Sequence, residues 1–441
     1  MTRASRGFWA AILMGTVLAG TGAAAAADGV LPINPATLAA NDMEVVWQTQ
    51  AIVMPETTLQ RAWVVGDFLV AHGSDNTIYV IDARTGVRLW ADQVAEAFQK
   101  VWQPAVDKTD LWFPTTTKLV GIRGTDGKRI RNIDLPFTPA GGAVTNGVHC
   151  FTPDAKGWLQ AVGLNPDVVS WGRWTEDLVS AAPCLDNSLV YFGSQNGIVY
   201  ASTQNVRRIV WEHKTEGAIV GDLRRGKGNL VLAASMDYTV YAFAGPSGRM
   251  VWRFNAGEPV RRSPHAYGNQ VFVLTSEAGL TALDTANGRV QWRLAEGQEV
   301  AGAGPQFVYV FSRNNELLAV NRTDGHVAHT FALAAGTLPV VNEKDTGLVY
   351  LVTPAGQVQA VAKKGDREAL EAAEKEVLAA QARAEAARQK DALKPATPPP
   401  PPSVTATPAP AAEPAAPAEP PAPKAPPAKK APPAKKTGKK G

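Results

Sequence analysis

The stretch Ala282-Leu283-Asp284-Thr285-Ala286-Asn287-Gly288-Arg289-Val290-Gln291-Trp292 decides how this 441-residue chain is read. An apolar run ends on a small residue, an Asp opens a turn, a Gly supplies the backbone freedom the turn needs, and a Trp follows on the return. The pattern recurs. Equivalent alanines stand at 161, 201, 242, 282, 319 and 360, separated by 37 to 41 residues. A second column, Val190, Val231, Val271, Val308 and Val349, carries the same insertions and deletions. Two columns that shift together mark a true repeat. Within each unit, alternating apolar runs such as Leu189-Val190-Tyr191-Phe192 and Ile198-Val199-Tyr200-Ala201 are separated by Gly, Asn and Asp. That is strand and hairpin chemistry. About four short strands in a period near 40 residues predict the blade of a β-propeller.

Gly86, Gly127, Gly248, Gly288 and Gly325 occupy one turn position, and Asp167 and Asn205 stand at or beside it in two other repeats. All are residues that tolerate positive φ. The Trp at 90, 171, 211, 252 and 292 is expected to dock its large apolar area across the blade against the small Ala. Arg131 and His329 replace it in two repeats, which predicts two weaker blades. Seven units are complete, and an eighth, near residues 336–364, keeps Ala360 but lacks an outer strand. Glu44-Val45-Val46-Trp47-Gln48, far upstream, carries a docking Trp of its own. The chain therefore reads as all-β: an eight-bladed propeller of four-stranded blades over residues 43–364, with the N-terminal strand completing the last blade and removing an open edge.

The flanks read differently. Arg3 and Arg6, the apolar run Phe8 to Leu18 and the small residues Ala23 to Ala27 predict a signal peptide over 1–27, cleaved near Asp28, with an uncleaved anchor as the alternative. Residues 366–394 are rich in Ala, Glu, Lys, Arg and Gln, predicting a solvated helix. Residues 395–441, with repeated Ala-Pro-Pro-Ala-Lys-Lys, cannot bury a core and are expected to be a disordered, extended basic tail. Seven lysines against Glu413 and Glu419 give this tail +5 of the chain's +4, leaving −1 elsewhere. A near-neutral body excludes electrostatic steering of nucleic acid, so no nucleic-acid partner is expected. The tail's expected partner is an acidic envelope surface, anionic lipid or wall polymer, or else it serves only solubility.

Cys150 and Cys184 are the only cysteines, too widely spaced for a redox or metal motif. They either pair in an oxidising compartment or form two separate buried thiols. His326 and His329 would share a metal only on a helix, whereas this segment reads as turn and strand.

The Ala-x-Asp-x-x-Thr-Gly-x-x-x-Trp pattern, clearest at Val80 to Trp90 and Ala282 to Trp292, resembles the tryptophan-docking motif of the PQQ-like, or quinoprotein-type, β-propeller repeat family. The eight-fold count agrees with that resemblance, which covers roughly 43–364. On it, Trp47, Trp90, Trp171, Trp211, Trp252 and Trp292, with Gly86, Gly248 and Gly288, are the structural docking residues. The family's dehydrogenases carry an adjacent-cysteine disulfide, calcium ligands and long pocket-forming insertions, whereas here Cys150 and Cys184 are 34 residues apart and a blade spacing of 37 to 41 leaves no room for such insertions. No catalytic, cofactor-binding or metal-binding residue, and no cofactor, is therefore expected, and the chain is not expected to be an enzyme. It is more similar to the non-enzymatic branch, the BamB-type outer-membrane assembly factors, although no lipid-anchor cysteine follows the signal. The resemblance implies a scaffold for protein–protein interaction in the periplasm or cell envelope, with a part in outer-membrane protein assembly. The alternative is a quinoprotein-like protein that binds PQQ or another small ligand in its channel. Candidate interaction residues, placed just before the innermost strands, are Trp102, Arg224, Arg225, Arg261 and Arg262.

Overall fold

The computed structural model describes residues 30–51, 53–54 and 56–366. The segments expected as signal peptide and basic tail lie outside them, as does the expected helix beyond Asp366. The strands form eight antiparallel sheets, each one blade. Blades one to seven take residues 59–93, 105–134, 144–174, 184–214, 224–255, 265–294 and 297–332. Each is a four-stranded meander whose first strand is innermost. Blade eight is built from Val349–Val352, Gln357–Lys363 and, at its outer edge, Met43–Gln50. The pairing runs from Met43 with Lys363 to Gln50 with Gln357, so the N-terminal strand closes the ring. At its inner position blade eight has only a bridge between Leu338 and Val352.

Strand direction gives the ring two faces. Inner strands begin at the face carrying the inter-blade connections and end at the face carrying the docking turns. The core lies between blades. The Val column (Val190, Val231, Val271, Val308 and Val349) sits on second strands and is fully buried. The Ala column lies directly across from the docking Trp on the outer strand, as in Ala201 with Trp211 and Ala282 with Trp292.

The indole does more than pack across its own blade. Each reaches into the next one and donates its N–H to the first carbonyl beyond that blade's third strand. Trp47 bonds Ala83 O at 3.0 Å, Trp90 bonds Gly124 O at 2.7 Å, and Trp171 bonds Gln204 O at 3.0 Å. Trp211 bonds Gly245 O, Trp252 bonds Thr285 O and Trp292 bonds Arg322 O, at 2.6–2.8 Å. The turn glycine is the floor of this dock. Gly288 has φ +69°, and a Cβ there would stand 2.6 Å from the Trp252 ring. Gly86 faces Trp47 in the same way. Glycine is thus required twice, for its backbone angle and for the absence of a side chain.

Three expectations change. Asp167 and Asn205 are not among the residues with positive φ. Their turns instead close with Val168 N–H to Pro166 O and Arg208 N–H to Val206 O, so the polar residue does not substitute for the glycine conformation. Arg131 is no simple defect. Its guanidinium is long enough to donate to Leu164 O at 3.3 Å, the carbonyl a Trp would reach. His329 makes no such bond among the described residues. Its junction is filled by residues 30–42, which contain a short helix, Pro35–Ala40, capped by the Asn34 side chain. Ile33, Leu38 and Met43 pack with Phe331, Tyr309 and Val361 in one buried cluster. Gln359 holds the segment by bonding both the N–H and the C=O of Ile33. The cysteines are two free, buried thiols.

Trp47→Ala is expected to destabilise the protein by about 3 kcal/mol or more in urea unfolding, since a buried ring and the closing bond go together. Gly288→Ala should cost about 1–3 kcal/mol through strain and displacement of Trp252, with Arg289→Ala on the exposed side of the turn as the near-neutral control.

Candidate functional site

A propeller offers two places for function, its central channel and its faces. The channel holds a cavity of about 400 Å³ lined by inner-strand residues of blades one to six and by Glu343. A second cavity of about 250 Å³ lies between blades one and eight, and Arg224 and Glu343 line both. Arg224 comes from the short inner strand Arg224–Gly226 of blade five. Its Nη2 contacts Glu343 Oε1 at 2.9 Å and Asp222 Oδ2 at 3.1 Å. Burial works against its charge, but these two carboxylates more than offset that and hold its pKa above the ordinary value.

The neighbouring Arg225 points the other way, as strand alternation demands. It lies 5.6 Å from the centre of the Tyr191 ring and 3.2 Å from Asp186. Burial would raise the Asp186 carboxyl, yet hydrogen bonds from Tyr191, Ser188 and Leu189, with Arg225 beside it, bring it down to about 2. Arg262, in the connection leading into blade six, bonds Glu299 of blade seven at 2.7 Å, and the other oxygen of Glu299 meets His265 Nε2 at 3.1 Å. Burial opposes the charge on Glu299, and the bond from His265 with the charge of Arg262 keeps its carboxyl below the usual range. Arg261 is exposed, with no ion pair among the described residues. Trp102 is half-buried in the connection between blades one and two.

The candidate residues therefore do not share one surface. Arg224 and Arg225 both line the channel cavity, with the Arg225 guanidinium turned into the junction of blades four and five, and Arg262 belongs to the junction of blades six and seven. Arg261 and Trp102 remain for contact from outside. His329 lies in the strand Val327–Ala332 against Phe331, and His326 in the preceding turn.

Sequence reading missed the most exposed aromatic groups on the connection face. Phe98 is 82% exposed, Trp174 52% and Tyr238 48%. Tyr238 also has φ +71°. Seven blades share the hairpin position whose carbonyl accepts from the strand end beyond, held elsewhere by Asn76, Thr117, Gly157, Gly197, Asn315 and Gly356. An exposed, bulky ring at positive φ, where the others mostly place Gly or Asn, is a genuine outlier. The signal was legible as an odd residue in a column of small ones.

The family model described as outer membrane protein assembly factor BamB matches residues 9–213 and 195–307. Among solved structures, BamB from Moraxella catarrhalis is similar at 15% identity and a TM-score of 0.57, over 72% of this chain and 100% of that one. The computationally designed Ika8 protein is similar at 13% and 0.58, over 71% and 100%. At such identities the likeness is one of fold. The 1-butanol dehydrogenase (quinone) of Thauera butanivorans is 29% identical over 145 residues, 28% of this chain. The match spans only 23% of that dehydrogenase. With the repeats, the closed ring and the family match in agreement, this chain belongs to the PQQ-like β-propeller repeat family, the one described as outer membrane protein assembly factor BamB.

Proposed function

We propose that the protein is an exported, non-catalytic scaffold of the cell envelope that holds partner proteins on its connection face and takes part in outer-membrane protein assembly. The observation that carries this reading is Tyr238. Backbone strain at a surface residue persists where the rest of the structure over-determines it, and it concentrates at binding and switch sites. The hairpin turn sets the same positive φ at Asn76, Gly157, Gly197, Asn315 and Gly356, and in this blade it is borne by a residue with an exposed aromatic ring. Trp174, Phe98 and the unpaired Arg261 lie on the same face, and aromatic and arginine side chains dominate binding hot spots. The family description and the likeness to BamB support the assembly role.

The partial likeness to a quinone-dependent dehydrogenase favours a second reading, a small ligand in the channel. A calcium-bound quinone fits the lining poorly. Glu343, the carboxylate that lines both cavities, is engaged by Arg224, as is Asp222 nearby, and the two thiols are free and lie in different blades. A ligand of another kind would have to use the 400 Å³ cavity with that ion pair in place.

Tyr238→Asn separates function from folding. It should leave stability unchanged or raise it by about 1 kcal/mol, because Asn tolerates the left-handed region, while Trp174→Ala should be near neutral. Both should reduce photo-crosslinking of the protein to its envelope partners in intact cells. Undiminished crosslinking in the double variant would remove the proposed surface. For the second reading, titrating purified protein with pyrroloquinoline quinone and calcium should leave the quinone absorbance unshifted. A saturable shift abolished by Arg224→Ala would favour the channel instead.

A further inference from the structure

Blade eight departs from the other seven at its inner edge, where residues 339–347 replace a regular strand. The segment is pinned at both ends. Asn342 N–H bonds Ala301 O at 2.8 Å and Gly347 N–H bonds Ala303 O at 2.7 Å, both on blade seven, while Tyr267 of blade six donates to Asn342 O. Between these anchors stand three consecutive exposed charges, and each reaches a different blade. Glu343 meets Arg224 of blade five, Lys344 meets Asp67 beside blade one at 2.7 Å, and Asp345 meets Arg322 beside blade seven at 2.9 Å.

These three pairs are unlike one another. Arg322 is a fixed post, since its Nε bonds Gln270 Oε1, its Nη2 bonds Tyr267 O, and Nη1, the nitrogen that meets Asp345, also bonds Gly304 O. The Glu343–Arg224 pair crosses the channel between blades that are not neighbours, and both of its members line both channel cavities. With Val64 and Gln103, it lies where the two cavities adjoin. The closed arrangement is not fully satisfied, because Arg224 Nε is buried without a hydrogen-bond partner. The Glu343 side chain is 51% exposed, and the Lys344 and Asp67 side chains are 51% and 83% exposed, so water and salt weaken each attraction.

We propose that Glu343-Lys344-Asp345 is a charge-held gate, in which the Glu343–Arg224 pair divides the propeller channel and release of the segment joins its two cavities into one passage. Asn342, buried with its side chain bonded to Thr346 and Leu348 O, fixes the segment at one end. Gly347, at φ +70° and bonded to Ala303 O, fixes the segment at its other end. The gate does not rest on the scaffold reading, and its test uses neither a partner nor a quinone.

The reporter is already in place. Cys184 lines the larger cavity as a free buried thiol, whereas Cys150 is sealed in the core between blades two and three. Labelling of the intact protein with a neutral maleimide, read for each cysteine by mass spectrometry, should be several-fold faster at Cys184 in Glu343→Gln, with Cys150 unchanged. Because Glu343 also bears on the charge around Cys184, the double variant Lys344→Met with Asp345→Asn, which releases the segment while keeping Glu343, must produce the same selective acceleration. Acceleration in only one variant, in neither, or at both cysteines together would overturn the gate.

Discussion

An indole N–H that reaches past its own blade to a carbonyl of the next is the interaction on which the rest of this structure depends. A propeller blade cannot bury both of its faces alone, so its stability lies in its junctions. Here a junction is a large apolar ring set over a glycine, with one directional bond to fix the register. Apolar area drives the contact and the hydrogen bond places it. Because the dock lies between successive blades, the same eleven-residue pattern determines both the local turn and the way the ring propagates.

The exceptions show what the junction requires. Arg131 retains the bond and gives up the ring, while at His329 both are lost and separate material supplies the burial. The short helix and Ile33 are thus part of the propeller in every energetic sense, although they belong to no blade. Closure on the other side falls to Trp47, assisted by Tyr350, whose hydroxyl donates to the same Ala83 carbonyl.

Most of the ring was legible in the sequence because its determinants are local and repeated. The Ala and Val columns, the turn glycines and the orphan strand around Trp47 each lie within a few residues of the structure they specify. What escaped was whatever joins distant parts of the chain. Nothing beside Trp90 says that its partner is 34 residues away in the next unit rather than across the hairpin. Nothing beside Arg224 announces Glu343, and the Arg224 and Arg225 side chains separate in space because successive residues of a strand face opposite ways. Tyr238 could have been noticed as an aromatic in a column of small residues, yet its meaning depends on a backbone angle that composition does not reveal.

The seam of the ring also has a bearing on how the molecule is made. Its earliest strand, Met43–Gln50, is partnered by Gln357–Lys363, among the last described elements to be synthesised. Seven blades can assemble in order as they emerge, but the eighth must wait for almost the whole length of the propeller, with the edge of the first strand and the Trp47 ring uncovered meanwhile. Contacts so far apart in sequence form slowly, and unpaired edges are where aggregation starts. The seam that makes the finished ring edgeless is therefore the point at which a growing chain most needs protection.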